Sequence, residues 1–196
     1  MSFESYRSKG RIASLLLVVF PFLVGFMSTF SLISDLLVVI IFLANFVTLF
    51  IFLLAMNGFS KYYDDSKIFK NSLYVVIIGI TAGIIQRIIS NIFLTPLLGQ
   101  SPPASLPVFA VIWVGVSAVA ILNGILYRRA FYALAEKSGE PNFKQAGSYM
   151  FTGGILMIVI VGVFMVLIGW GLAFKGFSSM KPKSSQTSSV PEIPTN

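Results

Sequence analysis

The sequence predicts an all-α integral membrane protein, a bundle of about five transmembrane helices followed by a disordered C-terminal tail. Three observations carry that prediction. Of the 196 residues, 56% are hydrophobic and 11% charged, far from the balance of a soluble domain. All the charges but Arg87 sit between the apolar runs rather than within them. Five such runs follow one another, Ile12–Phe30, Leu36–Met56, Leu73–Leu94, Leu106–Tyr127 and Tyr149–Phe174. Each is about 19 to 26 residues long, and about 20 residues in a helix cross a hydrocarbon core of roughly 30 Å.

Residues 1–11 form a basic N-terminal segment with Arg7, Lys9 and Arg11. The run after it is too long for a signal-peptide core and lacks a small-x-small cleavage site, so it reads as a retained first span. A re-entrant or interfacial segment is the alternative, leaving four spans. The connector Asn57–Ser72 carries Lys61, Lys67 and Lys70, then leads into the third span. In Thr95–Pro107, Pro96, Pro102, Pro103 and Pro107 predict a helix break, because proline fixes φ and disfavours helix in the residue before it. Arg128–Ser138 has good helix formers and extends the fourth span as a spur that Gly139 ends. Asn142 is the expected cap of the fifth helix. The helical domain is thus expected over residues 12–177. Residues 178–196, rich in Ser, Thr and Pro, form the tail.

Basic residues orient spans towards the cytoplasm. The N-terminus, Asn57–Ser72 and Arg128–Ser148 are basic, whereas Thr95–Ser105 has no charge. A cytoplasmic N-terminus in a multi-pass plasma-membrane protein follows. Five spans then put the C-terminus outside, against which Lys175, Lys181 and Lys183 argue.

With no cysteine and no histidine, disulfides, Cys/His zinc sites, iron–sulfur clusters and His-dependent nucleophiles are excluded within the chain. No cofactor, metal site or catalytic group is expected. No carboxylate falls in mid-span, which counts against proton- or cation-coupled transport. The connectors pair Asp64, Asp65, Glu136 and Glu140 with their lysines. The net charge of +7 therefore fits orientation and anionic lipid rather than nucleic acid. Asp64-Asp65 is a weak candidate pair for surface chemistry and reads more simply as solvated or capping.

Arg87 is the one charge inside an apolar run. Gln86, Arg87, Ser90 and Asn91 share a helical face with Gly79 and Gly83 by i, i+3, i+4 spacing, and Asn45 of the second run falls at similar depth. The face is a candidate polar intramembrane site for an anionic group. Snorkelling of Arg87 to the headgroups, or a structural hydrogen bond, explains it equally simply. Gly79-x-x-x-Gly83 is a candidate helix-packing motif. Asn123, Gly153, Gly154, Gly162, Gly169 and Gly171 read as packing positions too, and Trp113 and Trp170 as part of an interfacial aromatic belt.

The stretches Gly58–Tyr74 and Arg129–Gly147 resemble the two signature segments of an archaeal multi-span membrane protein family, domain-of-unknown-function family 996. The resemblance spans roughly Gly10 to Phe177. It implies an archaeal plasma-membrane protein and carries no activity or site residues over. The reading that follows is a non-enzymatic subunit of a larger membrane complex, contacting the lipid bilayer and protein partners or a second copy of itself. A small transporter or channel using the Arg87 face is the alternative. A lipid-acting membrane enzyme with Asp64 and Asp65 comes third.

Overall fold

The structure, a computed structural model, describes residues 2–29, 35–89, 102–159 and 161–182. The side chains of 21–29, 35–36, 38–39, 42, 86–87 and 102–109 lie outside that description. Among the described residues every element is helical. They are α1 (Phe3–Thr29), α2 (Asp35–Tyr63), α3 (Ser66–Ile89), α4 (Pro102–Ser138), α5 (Pro141–Leu156), a 3-10 turn (Met157–Val159) and α6 (Gly162–Ser179). Among the described residues, four helical segments are long and apolar enough to cross a membrane: Leu43–Tyr63, Ser66–Ile85, Ala110–Ser138 and Gly162–Ser179.

Each helix packs antiparallel against its neighbour in sequence, and α6 returns to α1, so the six close a ring. The N-terminus of α1 and the C-terminus of α6 meet, with Arg7 Nη1 donating to Met180 O at 3.2 Å. The α2–α3 and α4–α5 connectors lie at the same end. Of the 14 Lys and Arg residues, 12 lie towards it.

The chain between 149 and 174, expected as one span, is instead a hairpin. α5 has 16 residues and α6 has 18, about 24 and 27 Å. Glycines on both strips allow the approach. A Cβ on Gly153 would lie 2.8 Å from Val166 Cγ2, one on Gly169 2.8 Å from Met150 Cγ, and one on Gly176 2.9 Å from the Phe143 ring. On its other side α5 meets α4, where a Cβ on Gly147 would be 3.1 Å from Arg128 Cα. In lipid, where burial of apolar surface between helices gains little over lipid contact, such close backbone approach is a main source of association. Trp113 Nε1 of α4 donates to Ile158 O at 3.0 Å, satisfying a carbonyl that the turn takes out of the helical ladder. Gly171, also expected to pack, has no described atom within 4 Å of a Cβ.

The aromatic core sits at the basic end. Phe52, Ala55, Met56, Phe59 and Tyr63 fall on one face of α2 and are buried. Phe52 packs edge-on against Trp170 with centroids 5.3 Å apart. Trp170 in turn meets Tyr127 and Phe131. Phe131 stacks on Phe143, and Phe143 meets Phe177 at 4.8 Å. Trp170, only 4% exposed, is therefore a plug between α2, α4 and α6 rather than part of an interfacial belt. Large apolar side chains such as Ile40, Leu43, Val111, Val114, Ile158 and Phe164 line the outside, as a lipid-facing surface requires.

Two local predictions differ at the helix ends. α4 begins at Pro102, inside the expected break, because proline's fixed φ suits the first turn of a helix. The cap of α5 is Glu140, whose carboxylate accepts from Asn142 N at 3.4 Å, since Pro141 occupies the first helical position. Gly139 ends α4 as expected, at φ 70°, with its N–H donating to Ala135 O at 2.9 Å. Of the expected tail, residues 178–196, Ser178 and Ser179 belong instead to α6 and Met180 is buried against the bundle, while residues 183–196 lie outside the described residues.

Candidate functional site: a cleft at the basic end

The two connectors that carry the sequence resemblance line one open cleft of about 850 Å³. α3 and α4 are neighbours in the ring, so the start of α3 and the end of α4 face each other across it. From the first connector come Asp65, Lys67 and Asn71. From the second come Arg129, Tyr132, Glu136, Glu140 and Lys144.

Both connectors are built with the same device. Asp65 precedes α3 and its Oδ1 accepts from Lys67 N at 2.9 Å. Glu140 precedes α5 and accepts from Asn142 N and Asn142 Nδ2. Each acid satisfies a free N–H of a first helical turn and complements the helix dipole. Asp64 sits at φ 53°, a left-handed turn conformation that Asp tolerates better than most residues. Ser60 Oγ donates to Asp65 O at 2.9 Å. The Asp64-Asp65 pair thus builds the α2–α3 turn, the capping alternative of the sequence reading.

On the other rim, Tyr132 OH and Ser148 Oγ are 2.9 Å apart, and Ser148 Oγ donates to Lys144 O at 3.1 Å. With its proton so used, Ser148 accepts from Tyr132, which fixes the ring between α4 and α5. Chemically the cleft offers both signs of charge on a rigid frame. Among the described residues no group of three acids is placed to hold a metal ion.

The candidate intramembrane face is described in part. Asn45 is half-buried, with Nδ2 3.5 Å from Ile41 O, a long hydrogen bond within its own helix. Gln86 and Arg87 belong to α3, but their side chains, and all of Ser90 and Asn91, lie outside the described residues. Gly79 and Gly83 are exposed on α3. A Cβ at Gly79 would meet only Asn123 Nδ2 at 3.8 Å, and one at Gly83 no described atom within 4 Å. Sequence reasoning missed Arg129, Tyr132, Glu136 and Lys144 as a set. The available signal is that the Lys and Arg of both polar connectors put them on one side of the membrane.

A polytopic helical membrane protein, six helices among its described residues, with a mixed-charge cleft at its basic end is the class these observations define. The chain belongs to the family described as protein of unknown function DUF996, whose profile matches residues 44–170. That match takes in both connectors and leaves out α1, so it is narrower than the resemblance read over residues 10–177. The chain is also similar to an uncharacterised protein of the archaeon Methanocaldococcus jannaschii, with 27% identity over 131 residues, 65% of this chain and 74% of that protein. No solved structure matches the chain.

Proposed function

We propose that the protein is a non-enzymatic accessory subunit of a larger membrane complex, held there through the Gly79/Gly83 face of α3. The carrying observation is that, among the described residues, this motif is left open: a Cβ at Gly83 has no described atom within 4 Å, and one at Gly79 meets only Asn123 Nδ2 at 3.8 Å. The glycines of α5, by contrast, are consumed by α4 and α6. In lipid a small-x-x-x-small surface lets a second backbone approach closely. The partner is another subunit or a second copy of the chain, and nucleic acid is not among the expected partners. By the excess of Lys and Arg, the basic end with its cleft and both described termini faces the cytoplasm.

Purification in mild detergent with mass spectrometry of co-eluting proteins tests this reading. A stoichiometric partner, or a stable homo-oligomer, is expected with the wild type. Gly79→Leu/Gly83→Leu should abolish that association and leave thermal unfolding of the chain unchanged, because both positions are exposed and a Cβ at either meets no described atom closer than 3.8 Å. A variant that keeps every interaction, or a wild type that elutes as a lone monomer, refutes it.

A small transporter using Asn45, Gln86, Arg87, Ser90 and Asn91 is the second reading. One observation favours it: Asn123 Oδ1 is buried without a hydrogen-bond partner among the described residues, on the α4 side that faces Gly79. Proteoliposome flux should then fall at least about tenfold in Arg87→Ala, the loss of one charged interaction. Unchanged flux removes the reading.

A further inference from the structure

A groove of about 390 Å³ between α4 and α5, lined by Ile125, Arg128, Arg129, Tyr132 and Phe151, stands apart from the Gly79/Gly83 face. Arg128 and Arg129 come directly after the apolar run Leu106–Tyr127, so the groove opens where a hydrocarbon core ends. Arg128 of the groove and Lys144 next to it are placed over aromatic rings. The Arg128 guanidinium carbon lies 5.1 Å from the centroids of both the Tyr132 and Phe151 rings, and Lys144 Nζ lies 5.8 Å from the Tyr132 ring. Two cations therefore bracket one ring, and that ring is fixed by its hydrogen bond to Ser148. The acids nearest in the fold, Glu136 and Glu140, line the adjoining cleft with Arg129 and Lys144. Among the described residues, no carboxylate reaches ion-pair distance of Arg128, Arg129 or Lys144. Two cations placed against aromatic rings, Arg128 and Lys144, with Arg129 beside Arg128 in the groove lining, stand at the foot of an exposed apolar strip that includes Leu122 and Ile155 and form a cradle for a phosphate with a hydrocarbon chain attached.

We propose that the α4–α5 groove binds the phosphate headgroup of an anionic membrane lipid, with an acyl chain along Leu122, Ile125, Phe151 and Ile155. Arg128 and Arg129 supply the charge-assisted hydrogen bonds, and Lys144 closes the headgroup from the α5 side. A lipid, rather than a soluble phosphate, is the occupant because the cationic pocket is continuous with lipid-facing surface.

Native mass spectrometry of the full chain in detergent, titrated with dioleoylphosphatidylglycerol, dioleoylphosphatidylcholine and glycerol 1-phosphate, tests the proposal. A one-to-one phosphatidylglycerol adduct is expected, with about tenfold preference over phosphatidylcholine. R128Q/R129Q should weaken it by about tenfold, and K144Q by about threefold. K61Q/K70Q, which removes the same charge elsewhere at the basic end, should stay within about twofold of wild type. Should R128Q/R129Q fail to fold, K144Q against K61Q/K70Q decides. Equal binding of the two lipids, or equal loss in K61Q/K70Q, overturns the site. Displacement of phosphatidylglycerol by glycerol 1-phosphate overturns the lipid assignment in favour of a soluble phosphate ligand.

Discussion

A membrane-impermeant maleimide labels cysteines placed at Ser2 and at Pro182 from the same side of the membrane, and a cysteine at Gln100 from the opposite side. The wild-type chain has no cysteine, so each single-cysteine variant reports one position. The expectation rests on the hairpin. Five full spans would separate the ends of the chain by the bilayer, about 30 Å of hydrocarbon. Instead Arg7 Nη1 donates to Met180 O at 3.2 Å, and Phe59 of α2 stacks on Phe177 of α6 at 5.7 Å. Gln100 falls in the segment joining the far ends of α3 and α4. The outcome is all-or-none for each position. Labelling of Ser2→Cys and Pro182→Cys from opposite sides would show that residues 149–174 run straight through the membrane.

Gly162→Ala and Gly154→Ala should each lower stability by about 2–3 kcal/mol, and Tm in detergent by about 5–10 °C. A Cβ on Gly162 would collide with Gly153 O, Met157 N and Leu156 C. One on Gly154 would press on the α4 backbone at Ala120 C (3.1 Å) and Ile121 Cα (3.2 Å). All these are backbone atoms, which cannot turn aside as a flexible side chain can, so a helix must shift and lose its other contacts. Gly83→Ala and Gly171→Ala meet no described atom within 4 Å. They should be neutral or stabilise slightly, since alanine favours helix by up to about 1 kcal/mol over glycine. The contrast matters more than either value. A Gly162→Ala protein that melts with the wild type would mean that α5 and α6 do not close on each other.

The membrane class, α1 to α4 and the α4 spur were legible because long apolar runs and Gly139 are local signals. The hairpin was not. Ile155–Phe164 is apolar throughout, with Gly162 its one non-apolar residue, so hydropathy sees one span where the backbone turns. What makes the turn is tertiary: Trp113, far away in sequence, bonds Ile158 O, and glycines on two helices permit the approach. Trp170 was misplaced for a related reason, since an aromatic near a helix end looks alike whether it faces headgroups or a core of Phe52, Tyr127 and Phe131. Each half of the cleft was visible as a polar connector. Only the adjacency of α3 and α4 brings Asp65 and Lys67 opposite Arg129 and Lys144, and no periodicity within either connector encodes that adjacency.

The turn at Met157–Val161 carries no charged or polar side chain. During biosynthesis, the segment from α5 to α6 can therefore enter the bilayer from the side on which it emerges, as a folded wedge. Nothing hydrophilic in it has to be carried across, which spares the desolvation cost that an ordinary exported loop imposes. Its docking against α4 through Gly124, Gly147 and Gly154 can then come last, once the first four helices stand in place, and closing α6 onto α1 completes the molecule.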